Sequence, residues 1–155
     1  MRREDTELRE KILRKLRIRG IPCAGQIADY CMRLKEAVNP STVILYGSMA
    51  KGQQGVWSDV DIIVVAEFGE SFLDRISTLI ELVEGEAPIE PLGYTPQEFM
   101  NMIENCNPTA LEAMEYGIPL LGEEAFEEMK KRFEEVKAKL GLRRIKTGWT
   151  TNLRA

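Results

Sequence analysis

The sequence predicts a small mixed α/β (α+β) domain: a short mixed β-sheet with helices packed on it, and extra helices at both ends. Three observations predict it. Strand-length runs rich in apolar residues occur at 43–46, 59–66 and 87–94. Around them, apolar residues recur every three or four positions, the helical spacing. The 155 residues, 44% hydrophobic and 30% charged, suffice for one domain with its own core.

Residues 5–18 read as a helix, with Leu8, Ile12, Leu13 and Leu16 as its apolar stripe and Glu7–Lys11 and Glu10–Arg14 as favourable i,i+4 pairs. Gly20 and Pro22 interrupt it. A second helix runs from Ala24 to Val38 with Ile27, Tyr30, Cys31, Leu34 and Val38 on one side, and Asn39-Pro40-Ser41 ends it. Val43 to Tyr46 is fully apolar and so a central strand. Met49 to Gly52 is a short helical turn, Gln53 to Ser58 a polar loop, and Asp59 to Ala66 the second strand. Residues 70–84 form a helix with Phe72, Leu73, Ile76, Leu79, Ile80 and Val83 inward. Ala87 to Tyr94 is a third strand.

Thr95-Pro96-Gln97-Glu98 then supplies an N-cap, a proline at the first helical position and a glutamate at the third, a strong helix start. The remainder reads as helical. One helix carries Phe99, Met102 and Ile103, one runs from Pro108 to Tyr116, and one spans 122–140 with Phe126, Met129, Phe133, Val136 and Leu140 as a single seam. Gly141 closes it, and the basic tail 142–155 is expected either to move or to be pinned by Trp149.

Net charge is −4 but unevenly placed. Residues 1–19 carry eight Lys/Arg against four Asp/Glu, and 141–155 carry four against none. Basic ends flank an acidic body, so the ends either pair with the body or form a surface for an acidic partner or RNA. No apolar run approaches the length of a membrane span, and the first residues do not open a secretory leader. A soluble, cytoplasmic protein without membrane contact is expected. Cys23, Cys31 and Cys106 match no zinc spacing and are expected to be buried as small apolar residues. The chain has no histidine. That removes a histidine base, a Ser-His or Cys-His nucleophile and the usual zinc ligands, leaving acid–base and metal chemistry to other side chains.

Two signals carry chemistry. Gly47-Ser48 leaves the first strand, and Ser58-Asp59-Val60-Asp61 leads into the second after nine intervening residues. Gly47 permits a sharp turn and close approach to a ligand. Ser48 sits where a helical turn begins, so its hydroxyl and free N–H groups suit phosphate. Lys51 adds positive charge and Gly52 leaves room. Side chains alternate along a strand, so Asp59 and Asp61 point the same way. Two close carboxylates repel unless a cation lies between them. Oxygen ligands of this kind suit Mg²⁺ or Mn²⁺, which complete their shell with water and substrate phosphates. Either signal alone is an ordinary turn or strand end; together they point to a nucleoside triphosphate site.

Leu45-Tyr46-Gly47-Ser48 followed by Asp59-Val60-Asp61-Ile62 resembles the signature of the DNA polymerase β-type nucleotidyltransferase superfamily. More narrowly, Gly47-Ser48-Met49-Ala50-Lys51-Gly52 with Ser58-Asp59-Val60-Asp61 resembles the prokaryotic minimal nucleotidyltransferases, the MNT group. The signature spans 43–66, and the order of elements from 24 to 120 fits. The resemblance implies the nucleotidyltransferase fold and a transfer from ATP or another nucleoside triphosphate that uses two metal ions held by Asp59 and Asp61. It implies a third carboxylate on the strand after the intervening helix, which ligates the first metal and can help deprotonate the acceptor, best matched by Glu90, 29 residues after Asp61. Glu86 precedes that strand, and Glu98 looks like a capping residue. Gly47, Ser48, Lys51, Gly52 and Ser58 fall on the phosphate side. Members often carry an arginine directly after Gly-Ser; Met49 stands there in this chain, which leaves Lys51 as the basic contact. Trp57, on the loop, either stacks on a base or packs on the domain.

The expected organisation is an N-terminal helix (1–20), a nucleotidyltransferase domain (21–120) and a C-terminal helix with a basic tail (121–155). The expected function is transfer of a nucleoside monophosphate, AMP from ATP, to an acceptor hydroxyl. In the minimal group the acceptor is often a side chain of a partner, as in pairs with a HEPN-type toxin ribonuclease. The alternative is an antitoxin-like module that binds nucleotide and neutralises a partner by docking. A small-molecule transferase would need more chain to enclose its acceptor.

Overall fold

The computed structural model describes residues 2–53 and 58–151. Two helices lead: α1 (Arg3–Ile18) and α2 (Ala24–Val38). They are followed by β1 (Thr42–Tyr46), the short α3 (Gly47–Ala50), β2 (Val60–Val65), α4 (Phe72–Glu81) and β3 (Ile89–Tyr94). Then come α5 (Pro96–Glu104), α6 (Pro108–Tyr116), β4 (Ile118–Leu121), α7 (Glu123–Leu140) and a hairpin of β5 (Arg143–Ile145) and β6 (Gly148–Thr150). Among the described residues no helix is long and apolar enough to cross a membrane.

The main sheet has the order β3-β2-β1-β4. β1 pairs antiparallel with both β2 and β4, and β2 pairs parallel with β3 across the α4 connection. β1 and β2 are apolar on both faces because each face is covered. Val43, Leu45, Val60, Ile62 and Val64 pack with α1 and α2. Ile44, Ile63 and Val65 pack with α5, α6 and α7. The result is three layers, helices on both sides of a mixed sheet. α5 begins with the expected capping box: Thr95 Oγ1 accepts from Glu98 N at 3.2 Å, and Glu98 Oε1 accepts from Thr95 N at 2.7 Å. The terminal helices join the same cores, through Ile12, Leu13 and Leu16 on one face and Phe126, Met129, Phe133 and Val136 on the other.

Three expectations need correction. Residues 118–121, read as part of a helical remainder, form edge strand β4. The strand includes Pro119, which has no N–H to donate; an edge strand tolerates that. On α4, Leu73 is 74% and Ile80 52% exposed, while Arg75 is buried. The helix packs edge-on against β3, and the Arg75 guanidinium is fully engaged there. Its Nε donates to Glu70 O at 2.9 Å, and its Nη1 lies 2.7 Å from Glu98 Oε1, which outweighs the apolar stripe. Of the two readings of the tail, pinning by Trp149 holds: residues 143 to 150 form a hairpin, and the Trp149 ring meets Phe133 edge-on at 6.1 Å. Cys31 is buried, its thiol pushed up to about 12 by desolvation, but Cys23 is exposed and Cys106 half-buried, both in left-handed turns at helix ends.

The basic ends pair with the body. Arg9 Nε meets Asp29 at 2.7 Å, Lys15 bonds Glu123, and Arg144 Nε meets Glu112 at 2.5 Å.

Candidate active site

The C-terminal end of β1 and the N-terminal ends of β2 and β3 meet where α3 begins. Asp61 is the second residue of β2, and its Cα neighbours in register are Tyr46 on β1 and Glu90 on β3. Alternation puts Asp61 on the face of Ile63 and Val65, at the open end of the α5–α7 layer, and Glu90 beside it on the same face. Asp59 lies just ahead of the strand, two residues back and exposed. The strands therefore bring the predicted carboxylates to one corner, with Asp61 half-buried at the centre and Asp59 and Glu90 exposed on either side.

Their charges are felt. Burial, then the negative charges of Glu90 and Asp59, push the Asp61 carboxyl from its ordinary 3.8 up to about 6. Burial likewise raises the Tyr46 phenol, reinforced by Asp61. Among the described residues no three His, Cys, Asp or Glu side chains are grouped so that they alone could hold a metal ion. The donor set fits an open oxygen site, in which water and phosphate oxygens complete the shell of a hard cation.

The phosphate turn abuts this corner. Gly47 adopts φ +75°, and a Cβ on it would fall 2.3 Å from Asp61 Oδ2. Glycine is thus required twice, for the left-handed backbone and for the approach of α3 to the carboxylate. Ser48, half-buried, opens the turn, and its carbonyl accepts from Gln53 N at 2.9 Å. Met49 is buried against β1 and β2. Position 49, where the resemblance leads to the expectation of an arginine, packs into the core here, which a guanidinium would not tolerate unpaired. Gly52, at φ +73°, has nothing among the described residues within 4 Å of where its Cβ would be. Ser58 is half-buried ahead of Asp59, and Trp57 lies outside the described residues.

Lys51 is not aimed at the carboxylates. Its Nζ lies 2.8 Å from Glu112 Oε2 on α6 and 4.9 Å from the centre of the Tyr116 ring. Arg144 of β5 takes the other oxygen of Glu112. Burial pushes the Glu112 carboxyl up, but hydrogen bonds from Lys51 and Arg144 more than offset it and hold it below the usual range. Sequence reading missed Glu112, because its partners lie far away in the chain and nothing local flags it. Glu98 is occupied by the cap and by Arg75 and stands apart from the site.

No curated protein matches the chain. A crystal structure of a toxin–antitoxin with AMP-PNP superposes on it with a TM-score of 0.44 and 16% identity, over 71% of this chain and 89% of that one. That overlap is too loose to carry an argument. The sequence profile of the nucleotidyltransferase domain matches residues 27–118, a stretch that begins in α2, takes in the phosphate turn and all three carboxylates, and ends at the first residue of β4. With more than half its length in that match, the chain belongs to the nucleotidyltransferase domain family.

Proposed function

We infer that the protein is a divalent-metal-dependent nucleotidyltransferase that moves AMP from ATP to a hydroxyl of a partner protein. The observation that carries this reading is the approach of Gly47 to Asp61, with Glu90 in register on the next strand. It joins a phosphate turn to paired carboxylates with no side chain between them. Asp59 and Asp61 would hold Mg²⁺ or Mn²⁺, which when bound neutralises the triphosphate and activates the acceptor. Gly47 and Ser48 seat the phosphates beside Asp61. Glu90, exposed on β3, faces the acceptor and takes up the proton of its hydroxyl. The acceptor oxygen bonds to the α-phosphorus as the bond to pyrophosphate breaks. The partner assignment rests on the resemblance to the minimal group, with a HEPN-type toxin as the partner class; RNA contact is the weaker reading.

A second reading, docking with little turnover, is favoured by the exposed Phe72, Leu73 and Ile80 on α4, an apolar surface of the kind that meets partners. One experiment separates the two. The protein is incubated with labelled ATP, Mg²⁺ and the product of the neighbouring gene, and the partner is examined by mass spectrometry for AMP adducts. Adducts with wild type and none with Asp59→Asn/Asp61→Asn are expected. Adducts that persist in the double variant overturn the catalytic assignment. No adduct, with partner binding retained in the double variant, favours docking.

A further inference from the structure

Beyond the carboxylate corner, one cavity has an unusual lining. It measures about 400 Å³ and is lined by Lys51, Gln53, Tyr116, Arg144 and Lys146. Three of the five are cations and none is an acid, in a chain whose net charge is −4. Lys51 and Arg144 share a single carboxylate, Glu112, one on each oxygen. Lys146 is exposed and makes no ion pair among the described residues. Two positive charges are therefore uncompensated around one opening. Like charges converge at a cost unless an anion joins them.

The cavity is tied to the phosphate turn by the chain itself. Lys51 caps α3, whose first residue touches Asp61, and Gln53 N bonds back to Ser48 O. One end of this turn thus meets the carboxylates and the other meets the cations, about 6 Å apart along one helical turn. Arg144 and Lys146 come from the C-terminal hairpin, which lies beyond the stretch matched by the family profile. Arg144 is braced there by Gly148 O, which accepts from its Nη1 at 3.1 Å.

We propose that this cavity binds the β- and γ-phosphates of the nucleoside triphosphate, with the hairpin's Arg144 and Lys146 joining Lys51 as their counter-charges. This rests on the transferase reading and adds to it a means of choosing triphosphates over monophosphates. The hairpin supplies basic contacts that Met49, turned into the core, does not. Arg144 and Lys51 remain anchored on Glu112, so they are pre-oriented, while Lys146 closes on the outermost phosphate.

The test is calorimetric titration of ATP, AMP and inorganic tripolyphosphate into the full chain with Mg²⁺ present. Wild type is compared with Lys146→Ala and Lys146→Glu, whose exposed position leaves the fold intact. Lys146→Ala is expected to weaken ATP and tripolyphosphate about tenfold, the value of one partly screened charge-assisted contact. Lys146→Glu should weaken both further, and AMP should be unchanged in either variant. ATP bound equally well by all three proteins overturns the cavity assignment and leaves the transferase reading standing. An equal loss of AMP affinity overturns it too, since the effect then does not concern the terminal phosphates. Tripolyphosphate bound through Lys146 with no binding of ATP overturns the transferase reading and marks the cavity as a site for free polyphosphate.

Discussion

Replacing Gly47 with alanine tests the corner of the site directly. The residue sits at φ +75°, and its added Cβ would stand 2.3 Å from Asp61 Oδ2, about 1 Å short of ordinary contact. The left-handed backbone costs alanine roughly 1–2 kcal/mol. Moving the Asp61 carboxylate out of its rotamer costs about 1 more. Gly52→Ala is the matched control: its φ is +73° and no described residue lies within 4 Å of the new methyl, so it carries the backbone cost alone. In urea unfolding, Gly47→Ala should be less stable than Gly52→Ala by about 1 kcal/mol. AMP transfer to the partner should separate them more widely. A displacement of this size at a reacting centre costs about a hundredfold in rate, whereas Gly52→Ala should stay near wild type. In an Asp61→Ala background the stability gap between the two glycine variants should close. Equal stability and equal activity of the two variants in the wild-type background would refute the argument that Gly47 is there to let the turn reach Asp61.

Two further outcomes follow from the same geometry. A carboxyl raised from 3.8 to about 6 is easier to ionise in the unfolded chain. Its ionisation penalty is absent below about pH 4, grows as pH rises and is complete above about 6. The full penalty is about 3 kcal/mol, reduced by the solvent around this half-buried group to about 1–2. Without divalent cations, Asp61→Asn should therefore gain that much on wild type between pH 4 and 7 in urea unfolding; a difference that stays flat across the range sinks the electrostatic account. Arg75→Ala should cost about 2–3 kcal/mol, because it removes a buried guanidinium that joins Glu70 O and Glu98 and lies over the Phe68 ring. A change in urea midpoint worth less than about 0.5 kcal/mol would show the network to be dispensable.

The sequence made the centre of the sheet legible because its signals are local. An apolar run that ends in Gly47-Ser48, or begins with Asp59-Val60-Asp61, states its own period and its own end. The capping box at Thr95 and Glu98 is local in the same way. What escaped depends on partners distant in the chain. Arg75 is buried only because β3 brings Gly93 O and α5 brings Glu98 to it. Ile118–Leu121 is a strand only because the edge of β1 is vacant beside it. At the site, the carboxylates and the glycine could be named in advance. The direction of Lys51 could not, since it is set by Glu112, which lies 61 positions further along the chain.

β3 pairs with β2 alone, so its far side is the rim of the sheet, and Glu90 stands there exposed. A rim has no opposite wall. Whatever approaches this carboxylate from outside meets no second strand and need not fit a closed pocket. A bulky folded acceptor can present a hydroxyl from that side while the nucleotide lies along α3. Choice among acceptors would then be exercised by the surfaces around the rim, α4 among them, and could change without altering a single residue beneath the sheet.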